Sequence, residues 1–313
     1  MRSHLEDRAG RDRPAGRTRT GRVAVLLILA AVALSGCSSE VARGWLPSTP
    51  ETTNQTGRVM SLWHGSWIAA LLVGVLVWGL ILWSVVAYRR RRDDTGLPAQ
   101  VRYNVPLEIL YTAIPVMMVS VLFYFTARDQ AAIAALSNKP DVVVNVVGKQ
   151  WAWDFNYLEQ GGQPLNVYEA GVQVQPNQRA SDESQAPVLY LPVNRKVEFR
   201  LTSRDVVHAF WVLPFLYKMD VIPGVENRFE VTPQRTGEFR GKCTELCGEY
   251  HAYMLFRVKV VPQEEFDRHM ADLRARGQVG QLSSNLGRSR TPDRPGGAVP
   301  GDSPNGDDGT GSK

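Results

Sequence analysis

The fourteen residues GKCTELCGEYHAYM, Gly241 to Met254, hold two thiols, an imidazole and a thioether in the pattern Cys-x3-Cys-x3-His-x2-Met. The donors are Cys243, Cys247, His251 and Met254. Thiolate and thioether are soft ligands and imidazole is intermediate, a set that suits copper. One loop can turn all four inward only if it folds tightly. Gly241 and Gly248 would permit that, because glycine tolerates positive φ.

A second imidazole, His208, stands upstream in DVVHAFWVLP, at the start of an expected strand. A site for one copper of the cysteine-dihistidine type takes one Cys, two His and a distant axial Met. Here there is one Cys more, and two thiolates held close can bridge two metals, each then taking one His. Other readings compete. Neighbouring cysteines in an exported domain form a disulfide by default. Zinc accepts thiolates and imidazoles but leaves Met254 without a role. A lone His in a strand is more often a satisfied core residue, and His208 gains weight only from the company it keeps.

The elements that must carry this loop follow from patterning along the 313 residues. Net charge is +5, but the excess sits in the first 22 residues and in Arg89 to Arg92, so no nucleic-acid surface is implied. The third cysteine, Cys37, closes LSGC behind an apolar run, Val23 to Leu34, that follows an Arg-rich segment. Basic, apolar and small residues in that order make an export signal. LSGC also resembles a bacterial lipobox, which implies that residues 1–36 are a lipoprotein signal peptide and that Cys37 is acylated. A plain signal peptide with a chance cysteine is the alternative. Residues 37–62, rich in Ser, Thr and Pro, are expected to be an exported, flexible tether.

Residues 63–127 are expected to form a two-helix transmembrane hairpin. Trp67 to Tyr88 is uncharged and about 33 Å long as a helix, enough to cross a bilayer. Aromatics cluster towards its ends, and the arginine run after it marks the cytoplasmic side. The second span runs from about Val105 to Thr126, with Pro106 at a first helical position and Pro115 expected to kink it. The remainder then lies outside the cell, where Cys243 and Cys247 meet an oxidising compartment. Residues 140–262 alternate short β-rich runs with turns, which predicts an antiparallel sandwich or barrel. No βαβ rhythm is visible. Gln173 to Pro187 is expected to be a surface insertion, Gln263 to Arg276 a helix, and 277–313 a disordered tail.

Taken together, the lipobox, the hairpin, QWAW, DVVHAFWVLP, KMDVIPG and the cysteine loop resemble subunit II of cytochrome c oxidase, over nearly the whole mature chain. The resemblance implies a membrane-anchored, all-β protein: a two-helix hairpin followed by a cupredoxin-like Greek-key β-sandwich over residues 138–276, including the C-terminal helix. It implies two copper ions in a binuclear CuA centre. Cys243 and Cys247 would bridge them, His208 and His251 would be terminal ligands, Met254 a weak axial ligand, and Glu245 would contribute its backbone carbonyl. Glu245 and Asp220 would lie near a Mg²⁺ ion at the boundary with the catalytic subunit. Trp151 would receive electrons from cytochrome c, soluble or membrane-bound and in a supercomplex. Asp205 would help to dock that donor. Glu108 would sit at the mouth of a proton path, although a carboxylate at a helix N-terminus is equally well explained by the dipole. The function implied is that of the electron-entry subunit of an oxidoreductase that reduces oxygen and translocates protons, with haem–copper subunit I, other oxidase subunits and membrane lipid as partners.

The sequence departs from the family pattern at Ala152, where the family has an aromatic between two tryptophans. The alternatives are a membrane-anchored copper chaperone or thiol-disulfide protein, which would use a thioredoxin-like fold; a quinol oxidase subunit, which lacks the copper ligands; and a nitrous-oxide reductase, which needs a propeller. No Cys-x-x-Cys-His follows residue 262, so the electron donor is expected to be a separate chain. His64 and His269 are expected at the surface or at an interface.

Overall fold

In the computed structural model the described residues are 27, 38–90, 96–97, 100–137, 139–174 and 184–284. Apart from residue 27, the expected signal peptide lies outside them, as do its acylation site at Cys37, the second half of the arginine run, the centre of the 173–187 insertion and the tail beyond 284. A one-turn helix, α1 (Ser39–Ala42), is capped by the hydroxyl of Ser38, which accepts from Val41 N–H.

Two helices are long and apolar enough to cross a membrane: α2 (Thr56–Ala87) and α3 (Val105–Ala134). α3 begins on a reciprocal cap. Asn104 Oδ1 accepts from Leu107 N–H, and Glu108 Oε1 accepts from Asn104 N–H at 2.9 Å. Two otherwise unpaired backbone donors are thereby satisfied. The helix continues through Pro115. Both helices outrun the hairpin read from sequence, α2 starting seven residues before Trp63 and α3 ending at Ala134 instead of near Thr126. At these ends the buried carboxylate of Asp129 meets Arg58 at 3.0 Å and Arg128 at 2.8 Å. Further along the pair, an apolar cleft lined by Gly65, Ala69, Gly74, Met118 and Phe125 separates the helices.

The expected flexible tether is instead ordered in its second half. Asn54 N–H donates to Thr232 O, Gln234 N–H donates to Thr52 O, and Ser48 Oγ donates to Pro214 O. Hydroxyls satisfy the loop internally, with Thr56 Oγ1 donating to Pro50 O at 2.8 Å, so Ser48, Thr52 and Thr53 can be buried without orphaned groups. At the far end of α3, Ser137 donates through N–H and Oγ to the carboxylate of Glu230 and so ties the hairpin to the β-domain.

That domain is a sandwich of two five-stranded sheets. The strands are β1 (Val142–Lys149), β2 (Ala152–Gln160), β3 (Gln163–Glu169), β4 (Val188–Pro192), β5 (Val197–Ser203), β6 (His208–Val212), β7 (Tyr217–Val221), β8 (Asn227–Val231), β9 (Gly237–Cys243) and β10 (Leu255–Val261). One sheet runs β3-β2-β1-β5-β8 and the other β4-β10-β9-β6-β7. Pairing is not wholly antiparallel as expected: β1 pairs β5, and β10 pairs β4, in parallel. Strand-like composition does not encode pairing direction, so this was invisible in the sequence.

Trp153, Phe155, Phe199, Phe210 and Phe256 fill the space between the sheets, all fully buried. Each such ring contributes about 1.5–3 kcal/mol over its exposed state. Phe210 and Phe256 stack at 4.7 Å, and Trp153 meets both edge-on at 5.6 Å. The helix α4 (Gln263–Ala275) buries Phe266, Met270 and Leu273, spaced on one face, with Phe266 against Tyr157. Beyond it the chain does not leave the domain at once. Val279 bridges to Val167, and Leu282 exchanges two hydrogen bonds with the side chain of Asn156.

Candidate metal centre

β6 delivers His208 and β9 delivers Cys243 as antiparallel neighbours, with Phe210 opposite Cys243. The loop after β9 supplies Cys247, His251 and Met254 before β10 begins. Its mouth is closed by a bond from Cys243 N–H to Met254 O at 3.0 Å. Gly248 takes φ 127°, as the tight loop required. Gly241 serves differently from expectation. It lies within β9, and a Cβ there would fall 2.1 Å from the Phe256 ring.

The two sulfurs stand 3.8 Å apart and are not joined. His208 Nδ1 is 3.9 Å from Cys243 Sγ, and His251 Nδ1 is 3.5 Å from Cys247 Sγ. Met254 Sδ lies 3.8 Å from Cys247 Sγ, and Cys243 Sγ lies 3.2 Å from the Glu245 carbonyl oxygen. Pairwise contacts thus link the six residues expected from the sequence. The donor atoms of His208, Cys243 and Cys247 all lie within 4.8 Å of one another. His208, Cys243, Cys247 and Met254 are buried.

The protons of the cluster are shared along its hydrogen bonds. The hydrogen bond between the sulfurs drives the Cys243 thiol far below its ordinary pKa and that of Cys247 far above, so that the pair readily sheds one proton and holds the other. A metal ion takes thiolates. Burial opposes a charge on His208, but hydrogen bonds to Asp205 and Cys243 outweigh it and raise the imidazole pKa. Burial likewise pushes Asp205 up, and hydrogen bonds from His208 and from Gln150 and Val206 N–H outweigh it and hold the carboxyl below its usual range.

Asp205 has a role at the site that the sequence reading did not assign. Its carboxylate is turned inward, with Oδ1 2.8 Å from His208 Nε2 and Oδ2 accepting from Gln150 N–H at 2.7 Å. A carboxylate on one imidazole nitrogen fixes the tautomer that leaves the other free for a metal. The Asp-x2-His spacing was the available signal. Trp153, not singled out from the sequence, is fully buried, and its indole N–H donates to Met254 O at 3.3 Å.

Trp151 is half-buried at the rim, its indole N–H donating to Cys247 O at 3.3 Å. Ala152 is buried. Asp220, on β7 opposite Ala209, pairs with Lys218 at 3.1 Å, and Thr244 N–H donates to that same Ala209, so Asp220 and the start of the Glu245 loop share a neighbour. Glu108 is far along the chain in the α3 cap. His269, expected at the surface or at an interface, is half-buried and stacks on Tyr190 at 3.7 Å, and burial, aided by Arg276, pushes its pKa down to about 4.

Two helices long and apolar enough to cross a membrane, followed by a cupredoxin-like sandwich with a two-thiol, two-imidazole, thioether cluster, define a class of helix-bearing cupredoxin-like domains with a candidate metal site. Residues 142–261 match the family model "Cytochrome C oxidase subunit II, periplasmic domain". The "Probable cytochrome c oxidase subunit 2" of Streptomyces avermitilis is 45% identical over 309 residues, covering 90% of this chain and 95% of its own length. Cytochrome c oxidase subunit 2 of Mycobacterium tuberculosis H37Rv is 34% identical, covering 86% of this chain and 85% of its own. The crystal structure of the periplasmic domain of subunit II of cytochrome oxidase of Bradyrhizobium japonicum shares 29% identity, covers 45% of this chain and 98% of that one, and gives a TM-score of 0.39. The chain belongs to the cytochrome c oxidase subunit II family.

Proposed function

We propose that this chain is the electron-entry subunit of a respiratory haem–copper oxidase. In this reading Cys243, Cys247, His208, His251, Met254 and the Glu245 carbonyl would hold the copper ions, the two thiolates shared between them. The bound copper pair would accept and pass on single electrons, shared between two metals. The protein's part is to hold the ligands still, since a centre that changes charge is slowed by whatever must move. Strands β6 and β9 fix His208 and Cys243, Asp205 sets the His208 tautomer, and the aromatic core excludes water. Trp151 receives electrons from a cytochrome c, soluble or membrane-bound. Oxygen reduction and most proton translocation belong to the haem–copper subunit I and other partner subunits.

The hairpin would place the sandwich on the outer side of the bacterial membrane, with Cys37 acylated in the lipid. Glu108 at the cytoplasmic end of α3 would stand near a proton entrance, and Asp220 with Glu245 near a Mg²⁺ ion against subunit I. The observation that carries the reading is the unjoined pair of sulfurs at 3.8 Å, each with its own imidazole Nδ1. An all-β sandwich with His208 upstream of the cysteines does not suit a thioredoxin-like chaperone.

Electron paramagnetic resonance of the copper-loaded full chain tests this. Hyperfine structure from two equivalent copper nuclei is expected, and Cys247→Ser should abolish it. A single-copper spectrum from the unaltered chain would remove the bridging assignment.

A further inference from the structure

We infer that Tyr250 is the positioning residue that holds the Trp151 ring over the copper loop, so that the electron-entry surface is a two-ring unit. This rests on the electron-entry reading above and deepens it.

Trp151 precedes β2, outside the ladder of either sheet, and its single hydrogen bond does little to fix it. The acceptor, Cys247 O, is shared with Gln150 Nε2, which donates at 2.7 Å against 3.3 Å for the indole. A long bond through one ring nitrogen leaves the indole free to pivot about that atom. Two other contacts remove the freedom. Beneath the ring lies Gly248, where a Cβ would come within 3.0 Å of the indole, so the ring sits directly on the backbone. At its side stands Tyr250, centroids 4.9 Å apart and planes at 79°, the edge-to-face arrangement that ring quadrupoles favour.

Tyr250 can act as a stop because its own backbone is held. His251 N–H donates to Gly248 O at 3.2 Å, and Tyr253 N–H donates to Tyr250 O at 2.9 Å, so Tyr250 is locked between two turns of the loop that also carries Cys247 and His251. The ring that steadies Trp151 therefore belongs to the ligand loop itself. Ala152, the chain neighbour of Trp151, is buried and has no ring to offer. Both rings remain partly open to solvent and touch one another, so a donor approaching this rim meets them together. The partner chemistry is a reduced c-type haem protein: its iron goes from ferrous to ferric, one electron reaches the copper pair, and no bond forms or breaks. Small displacements of a positioned group can cost about 100-fold in rate, which is why the ring's orientation matters.

The test uses the assembled oxidase labelled with fluorotryptophan, the Trp151 fluorine resonance being assigned through Trp151→Phe. Electron arrival is timed after flash photoreduction of a ruthenium-labelled cytochrome c. Tyr250→Leu, which fills space without a ring, should shift or broaden the Trp151 resonance and slow electron arrival about 10- to 100-fold, with the copper hyperfine pattern unchanged. Tyr250→Phe should restore resonance and rate, since the contact uses the ring and not the hydroxyl. An unmoved Trp151 resonance with an unchanged rate in Tyr250→Leu overturns the inference. If Tyr250→Leu loses copper, the fluorine spectrum of that chain decides: a displaced line supports the clamp, an undisplaced one overturns it. Absence of two-copper hyperfine from the unaltered chain would instead strike the electron-entry reading, and the fluorine line would still decide the clamp.

Discussion

Asp205 Oδ1 lies 2.8 Å from His208 Nε2, while the other nitrogen of the same ring, Nδ1, faces Cys243 Sγ at 3.9 Å. One imidazole thus spans a carboxylate and a thiol, and its orientation is decided from the side away from the metal site. The other carboxylate oxygen takes Gln150 N–H, next to Trp151, so the group that orients a ligand also anchors the approach to it.

Removing that carboxylate should weaken the centre without unfolding the sandwich. Asp205→Ala is expected to lower copper affinity about 10- to 100-fold, the usual range for a residue that orients a ligand. Asp205→Asn keeps the shape but can present an amide N–H to Nε2 and favour the wrong tautomer, so it should recover little. Competition titration against a copper chelator measures both.

The same pair gives the metal-free domain a pH signature. Asp205 is held below its ordinary pKa, so its contribution is present above about pH 4, the unfolded value, and fades as pH falls through the folded one. His208 is held above its ordinary value, so its contribution is complete below about pH 6.5 and fades as pH rises through the folded value. The copper-free domain should therefore lose this part of its stability on both sides of a mildly acidic window. Asp205→Ala should flatten the profile in thermal melts taken across pH. An unchanged profile would mean the hydrogen bond does not persist in solution.

Two glycines separate site from scaffold. A Cβ on Gly148 would stand 2.9 Å from His208 Cδ2, on a buried ring whose tilt sets where its Nδ1 points. A Cβ on Gly241 would stand 2.1 Å from the Phe256 ring, locked in the aromatic stack. Gly148→Ala is expected to fold and to alter the copper hyperfine pattern. Gly241→Ala should cost about 1–3 kcal/mol or more from overpacking. Thermal denaturation alongside paramagnetic resonance distinguishes the two.

Trp153 reaches Met254 through the backbone. Its N–H is one of two donors to Met254 O, the other being Cys243 N–H at 3.0 Å. Trp153→Phe keeps most of the ring packing and leaves that carbonyl one partner. A loss of about 1 kcal/mol is expected, seen as a fall of a few degrees in Tm. A much larger loss would show that the ring volume, and not the N–H, dominates.

What the sequence disclosed was whatever is carried by residue type at short spacing. Cys243, Cys247, His251 and Met254 share one loop, and the two apolar stretches announce themselves by length. His208 became legible because its strand neighbours already pointed to a sandwich. The orienting role of Asp205 went unread because a surface-loop acid and a ligand-orienting acid look alike until the strand direction is known. The parallel pairing of β1 with β5 was hidden because partners far apart in sequence leave no local mark. The same limitation applied to residues 48–56 and 277–284, whose Ser, Thr, Gly and Gln composition suggested free chain although their backbone bonds end on the sandwich.

The docked segment after α4 yields the last prediction. Asn156, almost wholly buried on β2, accepts from Leu282 N–H at 2.8 Å and donates to Leu282 O at 3.0 Å, and it also donates to Asn145 Oδ1 at 3.1 Å. Asn145 in turn donates to Arg200 O and Thr202 Oγ1, so the polar chain crosses from the docked segment through β2 and β1 to β5. Ending the protein at Arg276 strips the outermost link and lets water reach Asn156. Because water can replace part of what is lost, the cost should be about 1–2 kcal/mol, below that of a sealed orphan amide. Asn156→Ala removes the same two bonds from the other side. If they carry the effect, the truncation combined with Asn156→Ala should cost less than the two changes summed, by about 0.5–1 kcal/mol. Chemical denaturation of the four proteins measures this coupling, and strict additivity would mean that Leu282 and Asn156 do not stabilise one another.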